Sequence, residues 1–146
     1  MEYQRKDNFF FLRLERGEEI TQAVKALCKR ENIIAATVSG IGATDCVTVG
    51  LYDTKEKQYV ANTYTKDMEI TSLSGNISQK DGEEYLHLHI TVADSSNRVL
   101  GGHLTHCIVS VTAEIVITAF PVETNRVRDK DTGINLLHFP KGTVLK

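Results

Sequence analysis

The sequence predicts an α+β fold, mainly an antiparallel β-sheet with one principal helix near the N-terminus. Three observations carry this reading. Ile20, Val24, Leu27 and Cys28 recur at i, i+4, i+7 and i+8, which places one apolar stripe on a helix from about Glu18 to Glu31. Beyond that helix, apolar and polar residues alternate with the period of two that marks half-buried strands, as in Leu86, Leu88, Ile90 and Val92. Asp81-Gly82 stands between two such runs as a hairpin turn, and hairpin-linked strands build antiparallel sheets.

Taken in order, Tyr3 to Leu14 reads as a first strand around Phe9-Phe10-Phe11-Leu12, ended by Gly17. Glu18 and Glu19 then suit the positive end of the helix. Ile33 to Ser39 is apolar on both faces and reads as a buried strand. Ser39-Gly40-Ile41-Gly42-Ala43 reads as a tight turn between two strands; it lacks the GxGxxG spacing and βαβ setting of a dinucleotide site. Val47, Val49 and Leu51 alternate as a half-buried strand, and Gln58 to Tyr64 is a polar edge strand. In Met68 to Ser78 the apolar phase changes between Ile70 and Leu73, so a bulge is expected near Thr71-Ser72. Glu84 to Asp94 and His103 to Phe120 form long strands connected through Ser95-Ser96-Asn97 and Gly101-Gly102, with one more short strand at Ile134 to Leu137.

Bulk properties narrow the function. At 146 residues, with 41% hydrophobic and 25% charged residues, the chain is expected to be a single domain over 1–146. No apolar run approaches the roughly 20 residues of a membrane span, and the polar start Met1 to Lys6 lacks the apolar stretch of a signal peptide. A cytoplasmic location is expected. Cys28, Cys46 and Cys107 are an odd count without CxxC spacing, which argues against a disulfide framework and a cysteine zinc site; Cys28 and Cys107 sit at apolar positions and read as buried thiols. The net charge of -2 does not favour phosphate neutralisation. Arg126, Arg128, Lys130, Lys141 and Lys146 form a basic cluster near the C-terminus, but Glu123, Asp129 and Asp131 interleave with it as on a solvated surface.

The chemistry concentrates in Leu86-His87-Leu88-His89. If the leucines face the core, His87 and His89 share the other face, about 7 Å apart along the strand. Two imidazoles so placed can converge on one ion at Zn–N distances of about 2.0–2.1 Å. His103, after Gly101-Gly102, opens the return strand of the same hairpin and falls near the far end of its partner, beyond His89. Three imidazoles with an open fourth position suit a ligand-exchanging metal rather than a closed structural site. Asp94 is a candidate partner that orients an imidazole. An HxH pair also occurs as two merely exposed histidines; His106 reads as structural or exposed, and His138 carries no signal. A hydrolytic triad has Ser39, Ser72, Ser74 and Ser110 available, but none lies in a GxSxG elbow.

The ordered set Val38-Ser39-Gly40-Ile41-Gly42-Ala43, Leu51-Tyr52-Asp53, Glu69 to Ile77, Leu86-His87-Leu88-His89, Gly101-Gly102-His103-Leu104 and Thr112-Ala113-Glu114 resembles the plants-and-prokaryotes-conserved (PPC) domain family over about Phe10 to Leu137. The resemblance implies an α+β homotrimer in which His87, His89 and His103 are metal ligands near the subunit boundary, with Arg13 and Glu114 as neighbours. Zinc is the default metal, with iron or nickel also compatible. Plant members join this domain to an Arg-Gly-Arg-Pro arm for the DNA minor groove; this sequence has no such tetrapeptide, and it has Lys66-Asp67-Met68-Glu69-Ile70 where they carry Gly-Arg-Phe-Glu-Ile. Three functions follow as expectations. One is a metal-dependent module that binds or senses a small ligand. A second is a metal-dependent hydrolase with Glu114 or Asp94 as base. The third is a DNA-binding regulator.

Overall fold

A computed structural model describes residues 1–142. The strand expected over Tyr3 to Leu14 is a hairpin of β1 (Glu2–Lys6) and β2 (Phe9–Glu15). The chain reverses at Asp7, whose φ of 53° lies in the left-handed region that Asp tolerates in turns. Along β2, Phe10, Leu12 and Leu14 turn inward and Phe9, Phe11 and Arg13 outward, as a period of two requires.

Helix α1 (Ile20–Glu31) buries Ile20, Val24, Leu27 and Cys28, the stripe read from the sequence. Glu19 is its N-cap: one carboxylate oxygen accepts from the Gln22 N–H at 2.7 Å, the other from the buried Cys107 N–H at 3.0 Å. A single side chain thus starts the helix and ties it to the sheet. The helix ends at Asn32, in the left-handed conformation.

Strand β3 (Ala36–Asp53) corrects the expectation of a turn at Ser39 to Ala43. The strand runs straight through, paired with β4 (Gln58–Lys80) on one side and β6 (Val99–Ala119) on the other. Gly40 and Gly42 serve close approach instead. A Cβ on Gly40 would lie 2.9 Å from the Glu114 carbonyl oxygen, and one on Gly42 2.7 Å from Ala113 Cα. Register shifts fall here, between Gly40 and Gly42 and again between Thr44 and Cys46. Strand β4 likewise joins the two strands expected at Gln58–Tyr64 and Met68–Ser78, and the expected bulge is present as a register shift between Ile70 and Ser72.

Strand β5 (Glu83–Ala93) pairs with β4 and with the start of β6, while the far half of β6 pairs with β2. The circuit β3–β4–β5–β6 therefore closes on itself. A second, two-stranded sheet joins β7 (Asn125–Arg128) to β8 (Asn135–His138), the latter one residue from the strand expected at Ile134 to Leu137. Leu88 and Ile90 are each 1% exposed in the core, and burial of each contributes roughly 1.5–3 kcal/mol. With that face of β5 turned inward, its histidines must face the other way. Among the described residues no helix is long and apolar enough to cross a membrane.

Candidate metal centre

His87 and His89 stand two residues apart on the outer face of β5, and His103 on β6 is the direct cross-strand partner of His89. This register puts His103 beside His89 rather than beyond it, because β6 begins four residues before His103, at Val99. The three rings form a compact triangle with centroid separations of 5.2, 5.4 and 5.6 Å. One nitrogen from each lies within 4.8 Å of the other two. Tetrahedral zinc needs nitrogens about 3.4 Å apart, so the rings would have to draw closer to hold such an ion.

Glycine makes room for this corner. A Cβ on Gly102 would lie 2.8 Å from the Gly50 carbonyl oxygen, and one on Gly101 would run into the Ile90 carbonyl oxygen. Any other residue at either position would push β6 away from its neighbours and His103 away from the pair on β5. Tyr59 braces the other side: its hydroxyl donates to the His103 carbonyl at 3.1 Å, and its ring meets the His103 ring edge-on at 5.8 Å.

The protonation state of the rings suits metal ligation. Burial holds both His87 and His103 below the ordinary histidine value. At His87 the nearby Arg126 guanidinium adds to the effect, as do the other two rings. Neutral imidazole is the form that ligates a metal. The donor set is all nitrogen, with no thiolate or carboxylate, and leaves positions open for exchangeable ligands.

The triad lies in the wall of a cavity of about 1000 Å³. Tyr52, Tyr59, Tyr64 and Tyr85 supply aromatic surface, and Arg126 supplies a positive charge. Arg126 is the residue that sequence reasoning misplaced. Expected in a surface cluster, it is 7% exposed and turned inward from β7. Its guanidinium donates to Ser78 Oγ at 3.0 Å, the Asn135 carbonyl at 3.1 Å and Asn76 Oδ1 at 2.9 Å, and lies 4.8 Å from the centre of the Tyr85 ring. The apolar residue beside it, Val127, faces outward, so the alternation in the sequence points away from the inward position. Of the remaining basic cluster, Lys141 pairs with Glu123 and Lys146 lies outside the described residues.

The other site candidates are placed elsewhere. Asp94 accepts from Lys66 at 2.9 Å, from both the backbone and the guanidinium of Arg98, and from the Ser96 N–H. None of these bonds goes to a histidine, so its role is to hold the β5–β6 loop. Arg13 and Glu114 face each other across β2 and β6 and line a separate, smaller cavity. Glu114 pairs with Ile41 and His103 with Gly50, so within one chain the two lie nine residues apart along β3, about 30 Å by strand rise. Neither proposed base, Glu114 or Asp94, therefore reaches the triad in a single chain. His106 lies outside the triad, with Nδ1 3.7 Å from Glu19 Oε1, and His138 faces Asn125 in the small sheet. None of Ser39, Ser72, Ser74 or Ser110 lines the triad's cavity.

The family model of the Plants and Prokaryotes Conserved (PCC) domain matches residues 1–121. The chain belongs to this family. Solved structures similar to this PCC domain include a candidate DNA-binding protein from Bacteroides thetaiotaomicron VPI-5482, with 34% identity, a TM-score of 0.93, and coverage of 96% of this chain and 98% of that one. A metal-containing protein from Archaeoglobus fulgidus is 32% identical with a TM-score of 0.82, covering 92% and 95% of the two chains. A plant- and prokaryote-conserved protein from Pyrococcus horikoshii is 28% identical with a TM-score of 0.83, covering 98% and 96%. The PCC domain is also 33% identical over 133 residues to the bifunctional protein GlmU of Synechococcus sp. strain JA-3-3Ab; that match takes in 89% of this chain and about a fifth of the relative, 20% of its length.

Proposed function

We propose that this PCC domain is a metal-binding module that takes a small ligand at the open position of a zinc ion held by His87, His89 and His103. The observation that carries the reading is the convergence of three imidazole nitrogens, all within 4.8 Å of one another, in the wall of a cavity large enough for a small molecule. The metal-containing relative from Archaeoglobus fulgidus supports it. Zinc is the choice for an all-imidazole site, since imidazole suits it and its tetrahedral preference leaves one exchangeable position. When bound, the ion would supply Lewis acidity toward an oxygen of the ligand. The protein's own part is to hold three neutral rings in place and to wall the position with tyrosines.

A homotrimer belongs to the same proposal. The outer face of β2, β6 and β3 exposes Phe11, Ile41 and Val116 at 57%, 58% and 38%, with Arg13 and Glu114 beside them. Phe11 sits directly opposite Val116, and Ile41 opposite Glu114. A contiguous apolar strip with a charged edge is the composition of a subunit contact.

Elemental analysis of protein purified without added metal, then reconstituted with zinc, tests the centre. About one ion per chain is expected; less than about a tenth of an ion after reconstitution rejects it. A nucleic-acid role draws its support from the Bacteroides relative, a candidate DNA-binding protein. The charge of -2 and the inward Arg126 weigh against it. A gel shift at physiological salt and micromolar protein decides that reading. Hydrolysis, the remaining reading, finds neither of its proposed bases, Glu114 and Asp94, in the lining of the triad's cavity.

A further inference from the structure

Arg126 is a buried cation without a buried anion. Its three hydrogen bonds go to neutral acceptors, and among the described residues it has no carboxylate partner. A guanidinium carries five N–H donors, so two remain unanswered by these bonds. The face of Tyr85 offsets part of the charge. Clamping β7 onto β4 and β8 accounts for the three bonds; it leaves the positive charge itself without an anion. Among the described residues Asp53 is the one carboxylate in the cavity lining, and its Oδ1 already accepts from the backbone N–H groups of Lys55 and Glu56. With a divalent ion on the triad the cavity becomes strongly positive.

We infer that the cavity binds a small organic carboxylate with an apolar body, placed between the metal position and Arg126. This rests on the zinc-centre reading above and names its ligand class. The planar fork of arginine matches a carboxylate in two parallel hydrogen bonds, and its three existing bonds hold the fork ready. Tyr59, Tyr64, Tyr85, Leu51 and Val60 offer the apolar wall. An inorganic anion would leave that wall uncovered.

The test is calorimetric titration of the full zinc-loaded chain with benzoate, with benzamide as its neutral counterpart and inorganic phosphate as the non-carboxylate anion. Benzoate is expected to bind at least about tenfold more tightly than benzamide or phosphate. Arg126→Gln is expected to lose about tenfold or more of the benzoate affinity while keeping its zinc. Benzoate and benzamide binding alike, neither binding, phosphate binding more tightly than benzoate, or Arg126→Gln retaining full benzoate affinity with zinc in place each overturns the inference. Should Arg126→Gln not fold, the wild-type comparison still decides, and Arg126→Lys tests whether charge without the fork suffices. Failure of the underlying reading looks different: wild-type protein that takes up no zinc before any anion is added.

Discussion

His89 and His103 are direct partners across β5 and β6, and that pairing turns a two-histidine motif into a three-nitrogen site. Directly opposed residues have Cβ atoms about 4.5–5.5 Å apart, closer than the same-strand pair His87 and His89. The rings of His87 and His89 lie 5.2 Å apart along one strand and those of His89 and His103 5.6 Å apart across the register, so the triangle needs both relationships.

His103→Ala is expected to abolish stoichiometric zinc binding while leaving the fold intact, because the side chain is only half buried and makes no hydrogen bond in the core. Metal content and far-ultraviolet circular dichroism, read on the same preparation, check it. Full zinc occupancy in the variant would show that the triad is not the site.

Glu19→Ala should destabilise the protein by about 2–3 kcal/mol. It removes a helix cap and leaves the buried Cys107 N–H without its acceptor. Urea unfolding measures this, and Glu19→Gln should recover part of the loss because its amide oxygen can still accept.

Asp94 makes stability depend on pH in a defined direction. Hydrogen bonding from Lys66, helped by the Ser96 and Arg98 donors, holds its carboxyl well below the usual carboxylate range. A carboxyl whose pKa is lower folded than unfolded stabilises the fold above the unfolded value, and this contribution fades as pH falls below about 4 toward the folded value. Asp94→Asn should therefore be less stable than wild type at pH 7, and the gap should narrow as pH falls below 4. A gap of constant size down to pH 2 would show that the ionised form is not what matters.

The cysteines should differ in reactivity. Burial pushes the Cys28 thiol up to about 12 and that of Cys107 to about 11, whereas Cys46 is partly exposed. Iodoacetamide at pH 8 is expected to modify Cys46 alone in the folded protein and all three in urea, as peptide mass mapping would reveal.

Phe11→Glu should convert the proposed trimer to monomer without unfolding it, since Phe11 is exposed in the single chain at 57%. Light scattering reads the mass. A wild-type mass of one chain would contradict the trimer outright.

The sequence alone determined the helix, the inward face of β5 and the pairing of its two histidines on the opposite face. Each of these is a local periodicity, 3.6 or 2, that a few neighbouring residues express completely. It also carried enough ordered motifs to identify the family. Tertiary structure decided what depends on residues far apart in the chain. It set the register that brings His103 opposite His89, the unbroken course of β3 through Gly40 and Gly42, and the separation of Glu114 from the triad. It also turned Arg126 inward from a run that reads as surface. Strand pairing is non-local, and a shift of one residue exchanges the faces of a strand. Which histidines meet, and which charge they meet beside, was therefore settled only when the long strands closed their circuit.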